Sequence, residues 1–245
     1  MTEASAIVFV LVPGGAYRVG KGPEPGFEPE LEVVLQPYLL AKHELTQGQW
    51  LRLAARDQPS HFAVGSRVEV SPAQVDALSA RGIAVAPSAS APVTLAHPVE
   101  NIAWHRGRAV LARWGLRLPS GDEWEAACRA GTTTRWHTGD DSASLLGSAN
   151  VLDALAKGLA YLDHPSPEPF VDGFVHTAPV GRLAPNAFGF HDMHGNVWEM
   201  CEDLVDCGGA HNGGSDACRS AVRNRLAPEF AGGYVGIRPA RSLTP

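Results

Sequence analysis

The sequence predicts an α+β fold of small antiparallel sheets and few helices, with much of the chain in irregular structure. Three observations carry that prediction. Among 245 residues there are 26 glycines and 19 prolines, so turns must be frequent and regular elements short. The helix signals are few, and the clearest are brief apolar periodicities behind a serine or threonine cap. The strand signals are short apolar runs broken by glycine and proline.

In chain order, residues 6–20 read as a strand, a Pro13-Gly14-Gly15 turn and a second strand. Leu31 to Leu40 is a further extended run. Thr46 followed by Gln49 has the spacing of a capping box, and Trp50, Leu53 and Ala54 then share one helical face. Residues 57–98 are rich in Ala, Ser, Pro and Val and read as a surface insertion with a short helix near Ala73 to Ala80. A helix is expected from Ala103 to Trp114, stopped at Gly115. Ser120 and Glu123 form a second capping box, behind which Trp124, Ala127 and Cys128 face inward until Gly131. Beyond that point turns dominate, so short strands joined by long ordered loops are expected. Such loops need a staple, and bound metal is the usual one where disulfides are absent.

The composition narrows the class. Hydrophobic residues at 44% and charged residues at 19% suit one buried core over residues 1–245. A net charge of −6 with no Lys/Arg block argues against nucleic acid and anionic membrane as partners. The apolar run Ala6 to Val12 is too short to cross a bilayer, and Met1-Thr2-Glu3 before it carries no basic segment. The expectation is a cytoplasmic protein. Four cysteines (Cys128, Cys201, Cys207, Cys218) are too few for a disulfide scaffold. Two alternatives stand for the last three: ordinary buried residues, or a metal or disulfide cluster, although their spacing matches no standard zinc pattern.

Four ordered blocks carry a family resemblance. They are Pro13-Gly14-Gly15; Pro98 to Trp104 with Leu116 to Glu125; Asn186-Ala187-Phe188-Gly189-Phe190-His191-Asp192-Met193-His194-Gly195-Asn196-Val197-Trp198-Glu199; and Cys218 to Arg225 with Gly236-Ile237-Arg238. Together they resemble the formylglycine-generating enzyme, or sulfatase-modifying factor, family. The resemblance spans nearly the whole chain outside 57–98 and implies a large variant of the C-type lectin fold.

It also implies two structural calcium sites built from hard oxygen ligands. The first takes Asn150, the carbonyl of Val151, Asp172 and the carbonyl of Phe174. The second takes Asp192 and Glu199 by side chain, with the carbonyls of Gly195 and Val197. The plainer alternative is that these residues cap turns without metal. The family's catalytic oxidase binds copper(I) through two thiolates five residues apart. In this register those positions are Ser215 and Ser220, and a hydroxyl does not replace a thiolate on copper(I). Cys218 is then a small buried residue rather than a ligand. No His-x3-His-x-Glu motif of the sulfoxide-synthase branch is present, while a branch acting on a siderophore precursor is left open. His191, His194 and His211 stay unassigned; Trp104, Trp124, Trp136, Trp198, Arg223 and Arg238 read as structural.

Two functions follow. The first is a calcium-stapled binding module whose C-terminal face meets a protein or small-molecule ligand, as in the variable proteins of diversity-generating retroelements. Its contact positions would be Ser220, Val222, Asn224, Leu226, Glu229, Phe230 and Tyr234. The second is an oxidoreductase of the same family working without copper on a peptide or siderophore-type substrate. A deep polar pocket at the C-terminal motif would favour the second, and a shallow surface the first.

Overall fold

The computed structural model describes residues 6–20, 30–160 and 167–243; Met1-Thr2-Glu3 lies outside them. Its strands are β1 (Phe9–Val12), β2 (Gly15–Val19), β3 (Leu31–Leu35), β4 (Tyr38–Ala41), β5 (Trp198–Met200), β6 (Asp206–Cys207), β7 (Val235–Gly236) and β8 (Ala240–Ser242). The helices are α1 (Gln47–Leu53), α2 (Pro72–Ser79), α3 (Trp104–Ala112), α4 (Gly121–Arg129) and α5 (Ala154–Leu159). This is the expected α+β class.

The first two strands do not pair with each other. β2 pairs with β3, whereas β1 pairs with β4, which β8 flanks on its other side. The expected extended run from Leu31 therefore splits between two sheets at Gln36-Pro37, where proline removes a ladder donor. Gly14 lies against that corner: a Cβ there would sit 2.8 Å from Cδ of Pro37, so a larger residue would push the sheets apart. The third sheet runs β6-β5-β7, and its β5–β7 pair is parallel, a departure from the all-antiparallel expectation. The chain between them loops around through 201–234 before re-entering in the same direction.

Both sequence-read capping boxes are present. Thr46 Oγ1 accepts from Gln49 N at 3.1 Å while Thr46 N donates to Gln49 Oε1 at 3.0 Å. Ser120 and Glu123 repeat this at 3.1 and 2.9 Å. A cap of this kind contributes about 1 kcal/mol, but packing matters more. Trp50 and Trp124 are fully buried, each side chain of that size being stabilised by about 1.5–3 kcal/mol. Trp124, Ala127 and Cys128 join Tyr38, Leu40 and Phe190 in one core cluster; Trp50, Ile102, Leu111 and Leu118 join Met200 and Ile237 in another.

Residues 57–98 are more closely built in than a surface insertion would be. His61 N and Phe62 N both donate to the buried Glu100 carboxylate at 2.9 Å, and Asn101 Nδ2 donates to the carbonyl of Pro59 at 2.8 Å. The expected short helix is α2, capped by Ser71 and Gln74. Its Leu78 packs with Ala89, Leu155 and Val175 into a satellite core. No helix among the described residues is long and apolar enough to cross a membrane.

Candidate functional site

The motif loop 186–199 is anchored by Asn186. Its Nδ2 donates to the carbonyls of Ala127 and Cys128, and its Oδ1 accepts from Phe188 N and Phe190 N. Asp192, Gly195 and Asn196 then adopt left-handed backbone at φ 59, 81 and 59. Gly195 is unavoidable, since a Cβ would lie 1.9 Å from the Asn150 carbonyl oxygen. The loop thus brings Asn150 against Gly195 and Asn196; Asn150 Nδ2 donates to Asn196 Oδ1 at 3.0 Å.

This folding leaves two buried acceptors, Asn150 Oδ1 and Asp192 Oδ1, without a hydrogen-bond partner among the described residues. One belongs to each expected calcium site. A buried polar atom left unsatisfied costs about 1–3 kcal/mol, so both invite a cation or water. Around Asn150, Asp172 accepts from Val151 N and Phe174 N at 2.9 Å, and Asp172 N donates to Asp153 Oδ2 at 2.7 Å. Burial, reinforced by Asp153, pushes Asp172 up to about 8. Asp153 is buried and Asp172 half-buried, and with the open amide oxygen of Asn150 these are hard oxygen atoms of the kind calcium takes.

The second set fits only in part. Asp192 Oδ2 accepts from Gly181 N at 2.7 Å, leaving Oδ1 open, and burial lifts this carboxyl to about 6. Glu199, by contrast, is gripped by Arg238 at 2.6 and 2.8 Å and receives Trp124 Nε1 at 2.6 Å. Its charge is already answered by a guanidinium. Glu44, which no sequence pattern singled out, completes the group. It accepts from Asn196 Nδ2 and Val197 N, and burial holds its carboxyl well above its ordinary value. Three buried carboxyl groups, Glu44, Asp192 and Glu199, thus gather around one guanidinium. Among the described residues no three His, Cys, Asp or Glu side chains are grouped so as to hold a metal ion; a site of one carboxylate, one amide and backbone carbonyls needs no such group.

Ser215 and Ser220 are both buried. Ser215 N donates to Glu168 Oε1 at 3.1 Å, and its carbonyl accepts from Trp136 Nε1 at 3.1 Å. Ser220 N donates to the carbonyl of Arg135 at 2.8 Å, and its Oγ accepts the Cys128 thiol at 3.7 Å. The assignment of Ser220 to a ligand-contacting surface is therefore corrected: its hydroxyl is packed inside, against α4. All four cysteines are free and buried; Cys201 and Cys207 sulfurs lie 3.9 Å apart. Burial pushes the Cys218 thiol up to about 12 and the Cys128 thiol higher still, so neither ionises as a nucleophile at neutral pH.

The unassigned histidines have structural work. His194 Nδ1 lies 2.7 Å from the Cys218 carbonyl and its Nε2 accepts from His137 N at 3.1 Å, so the ring is neutral with its proton on Nδ1. His211 Nδ1 lies 2.9 Å from the Asn196 carbonyl, and His191 Nδ1 2.8 Å from that of Leu183. Of the remaining proposed contact positions, Val222, Asn224, Leu226, Phe230 and Tyr234 are half-buried and Glu229 is exposed. Asn224 pairs its backbone with Asp206, and Leu226, Phe230 and Tyr234 lean on the second core. The cleft beside Leu226 and Phe230 encloses about 10 Å³, less than a small ligand needs, so this face is shallow.

Comparison with known proteins agrees with this architecture. The domain description "sulfatase-modifying factor enzyme 1-like" matches residues 2–243. The formylglycine-generating enzyme of Thermomonospora curvata is 27% identical over 221 residues, 79% of this chain and 70% of that enzyme. Against several other curated relatives the chain spans about half their length. In three dimensions the chain is similar to Treponema denticola variable protein 1, with a TM-score of 0.74, 20% identity, and coverage of 98% and 97%. It is also similar to PvdO from Pseudomonas aeruginosa, with a TM-score of 0.70, 23% identity, and coverage of 96% and 94%.

Proposed function

The chain belongs to the sulfatase-modifying factor enzyme 1-like family, and from that premise we propose that it is a calcium-stabilised binding module without copper-dependent formylglycine-generating activity. The observation that carries this reading is the pair Ser215 and Ser220. In the register that the resemblance implies, the two copper(I) positions fall on these serines; both are buried, Ser215 held through its backbone and Ser220 through its backbone and its hydroxyl. Hard oxygen is a poor ligand for a soft monovalent ion. The test is direct. The purified chain, loaded with copper and offered a Cys-x-Pro-x-Arg peptide, should leave the peptide cysteine intact by mass spectrometry. Conversion to formylglycine would refute the proposal and the register that places the two serines.

The ligand face in this reading is the shallow surface formed by Val222, Asn224, Leu226, Glu229, Phe230 and Tyr234, suited to a protein or small-molecule partner. A face of this kind is what a variable protein of a diversity-generating retroelement would vary. Asn150, Asp172 and the carbonyls of Val151 and Phe174 would hold one calcium ion. Asp192 with the carbonyls of Gly195 and Val197 would hold a second, with Glu199 held back by Arg238. The metal supplies charge and rigidity, not chemistry. Exhaustive chelation should lower the melting temperature, and calcium should restore it. A ligand bound by the folded state alone adds about 2.7 kcal/mol at a hundredfold excess over its dissociation constant. An unchanged melting temperature would remove both ions from the proposal.

A further inference from the structure

A cavity of about 470 Å³ lies between the 57–98 segment and the loop 174–182. Its lining includes none of the residues Ser215 to Tyr234, although its wall residue His61 lies against Gly233 of the C-terminal face. Its volume falls in the range of about 300–1,000 Å³ typical of small-molecule sites. Phe62, Val68, Val93, Phe174 and Val175 give it an apolar lining. Phe62 stacks on His176 with ring centroids 4.3 Å apart, forming a flat aromatic wall.

The polar part of the lining is one-sided. Arg67 and Arg182 contribute, together with His61, His97 and His176, and among the described residues no carboxylate does. Burial holds His97 and His176 down near 4, so at neutral pH the positive charge rests on the two arginines. Arg67 shares its charge with exposed Glu69 at 3.3 Å. Thr177 also lines the cavity, 5% exposed, and its Oγ1 has no hydrogen-bond partner among the described residues. Such an orphan hydroxyl is expected where a ligand or ordered water supplies the missing partner.

We infer that this cavity binds a small amphipathic monoanion, with a planar apolar body against Phe62 and Val93 and a carboxylate or sulfonate toward Arg67 and Arg182. The aromatic wall and apolar lining take the body, and the arginines select the charge. The inference is independent of whether the C-terminal face binds a partner or the chain is a copper enzyme.

The test uses the full chain in calcium with two probes: 1-anilinonaphthalene-8-sulfonate, an apolar anion, and the uncharged N-phenyl-1-naphthylamine. The anion should bind saturably, one per chain. Arg67→Ala with Arg182→Ala, both at exposed positions, should weaken it about tenfold, as for loss of a charge-assisted bond, and leave the uncharged probe unchanged. Ala91→Trp should block both probes; Ala91 lines the cavity with extended backbone (φ −64, ψ 142) that accepts any side chain. Ser66→Trp on the same lining serves if that variant melts early. No saturable binding, or binding indifferent to both tryptophans, would overturn the site. Tryptophan blockade without an arginine effect would overturn its preference for anions.

Discussion

Moving this protein from pH 7 to pH 4 should remove the stabilisation that its histidines supply, because they are folded in neutral form. Burial holds His43 and His194 down to about 3, and His97, His176 and His211 to about 4. Each folded value lies below the ordinary 6.5. Their stabilisation is therefore present above 6.5 and is lost as pH falls towards the folded values. Every tenfold loss of proton affinity on folding corresponds to about 1.4 kcal/mol. His97, His194 and His211 are under a tenth exposed, so these three carry the larger share of that contribution.

Carboxylates act in the opposite sense. Burial raises Asp192 to about 6, Asp206 to about 7 and Asp172 to about 8. A raised carboxyl contributes stability that is fully present below its unfolded value near 4 and is lost as pH rises through its folded value, so these groups favour acid from about pH 8 down to about 4 and oppose the histidines over that range. Between pH 7 and 4 the two sets oppose each other, so the histidine contribution is read from the rings themselves. Imidazole chemical shifts followed from pH 8 to 4 should stay those of neutral rings well below pH 6.5 for His97, His194 and His211. Rings that titrate near 6.5 in the folded protein would contradict the neutral-histidine interior.

Arg238→Ala should destabilise the fold by about 3–5 kcal/mol, the cost of leaving a buried charge without its partner. Arg238 is wholly buried and holds four acceptors: both Glu199 oxygens and the carbonyls of Ala41 and His191 at 3.0 and 2.9 Å. Without it, Glu44, Asp192 and Glu199 would be three buried carboxylates with no internal cation. Arg238→Lys should recover little, because one ammonium cannot reproduce the planar fork. Calcium should rescue Arg238→Ala more than it stabilises the parent, since the released Glu199 would then be open to the metal. Equal urea midpoints for parent and Arg238→Ala would defeat the argument.

Local signals in this sequence were legible because their causes are local. Thr46 with Gln49, and Ser120 with Glu123, cap helices through atoms three residues apart, and the inward faces of Trp50 and Trp124 follow from helical periodicity. The ordered blocks were enough to identify the family, and Asn150 and Asp192, read as metal ligands, are the residues whose Oδ1 atoms fold into buried, unpartnered positions.

What only the tertiary structure decided involves groups far apart in the chain. Glu44 has no motif of its own; it becomes part of a charge cluster because Asn196, 152 residues away, donates to it. Glu199 looked like a metal ligand until Arg238 was brought across from β7's end of the chain to hold it. Ser220 sits in a segment read as surface, yet its hydroxyl faces Cys128 on α4. The 57–98 segment, compositionally a loop, walls a cavity because Glu100 ties down His61 and Phe62 while Leu78 packs on α5. In each case residue type set what the side chain could do, and long-range pairing in a low-dielectric interior selected which partner it met.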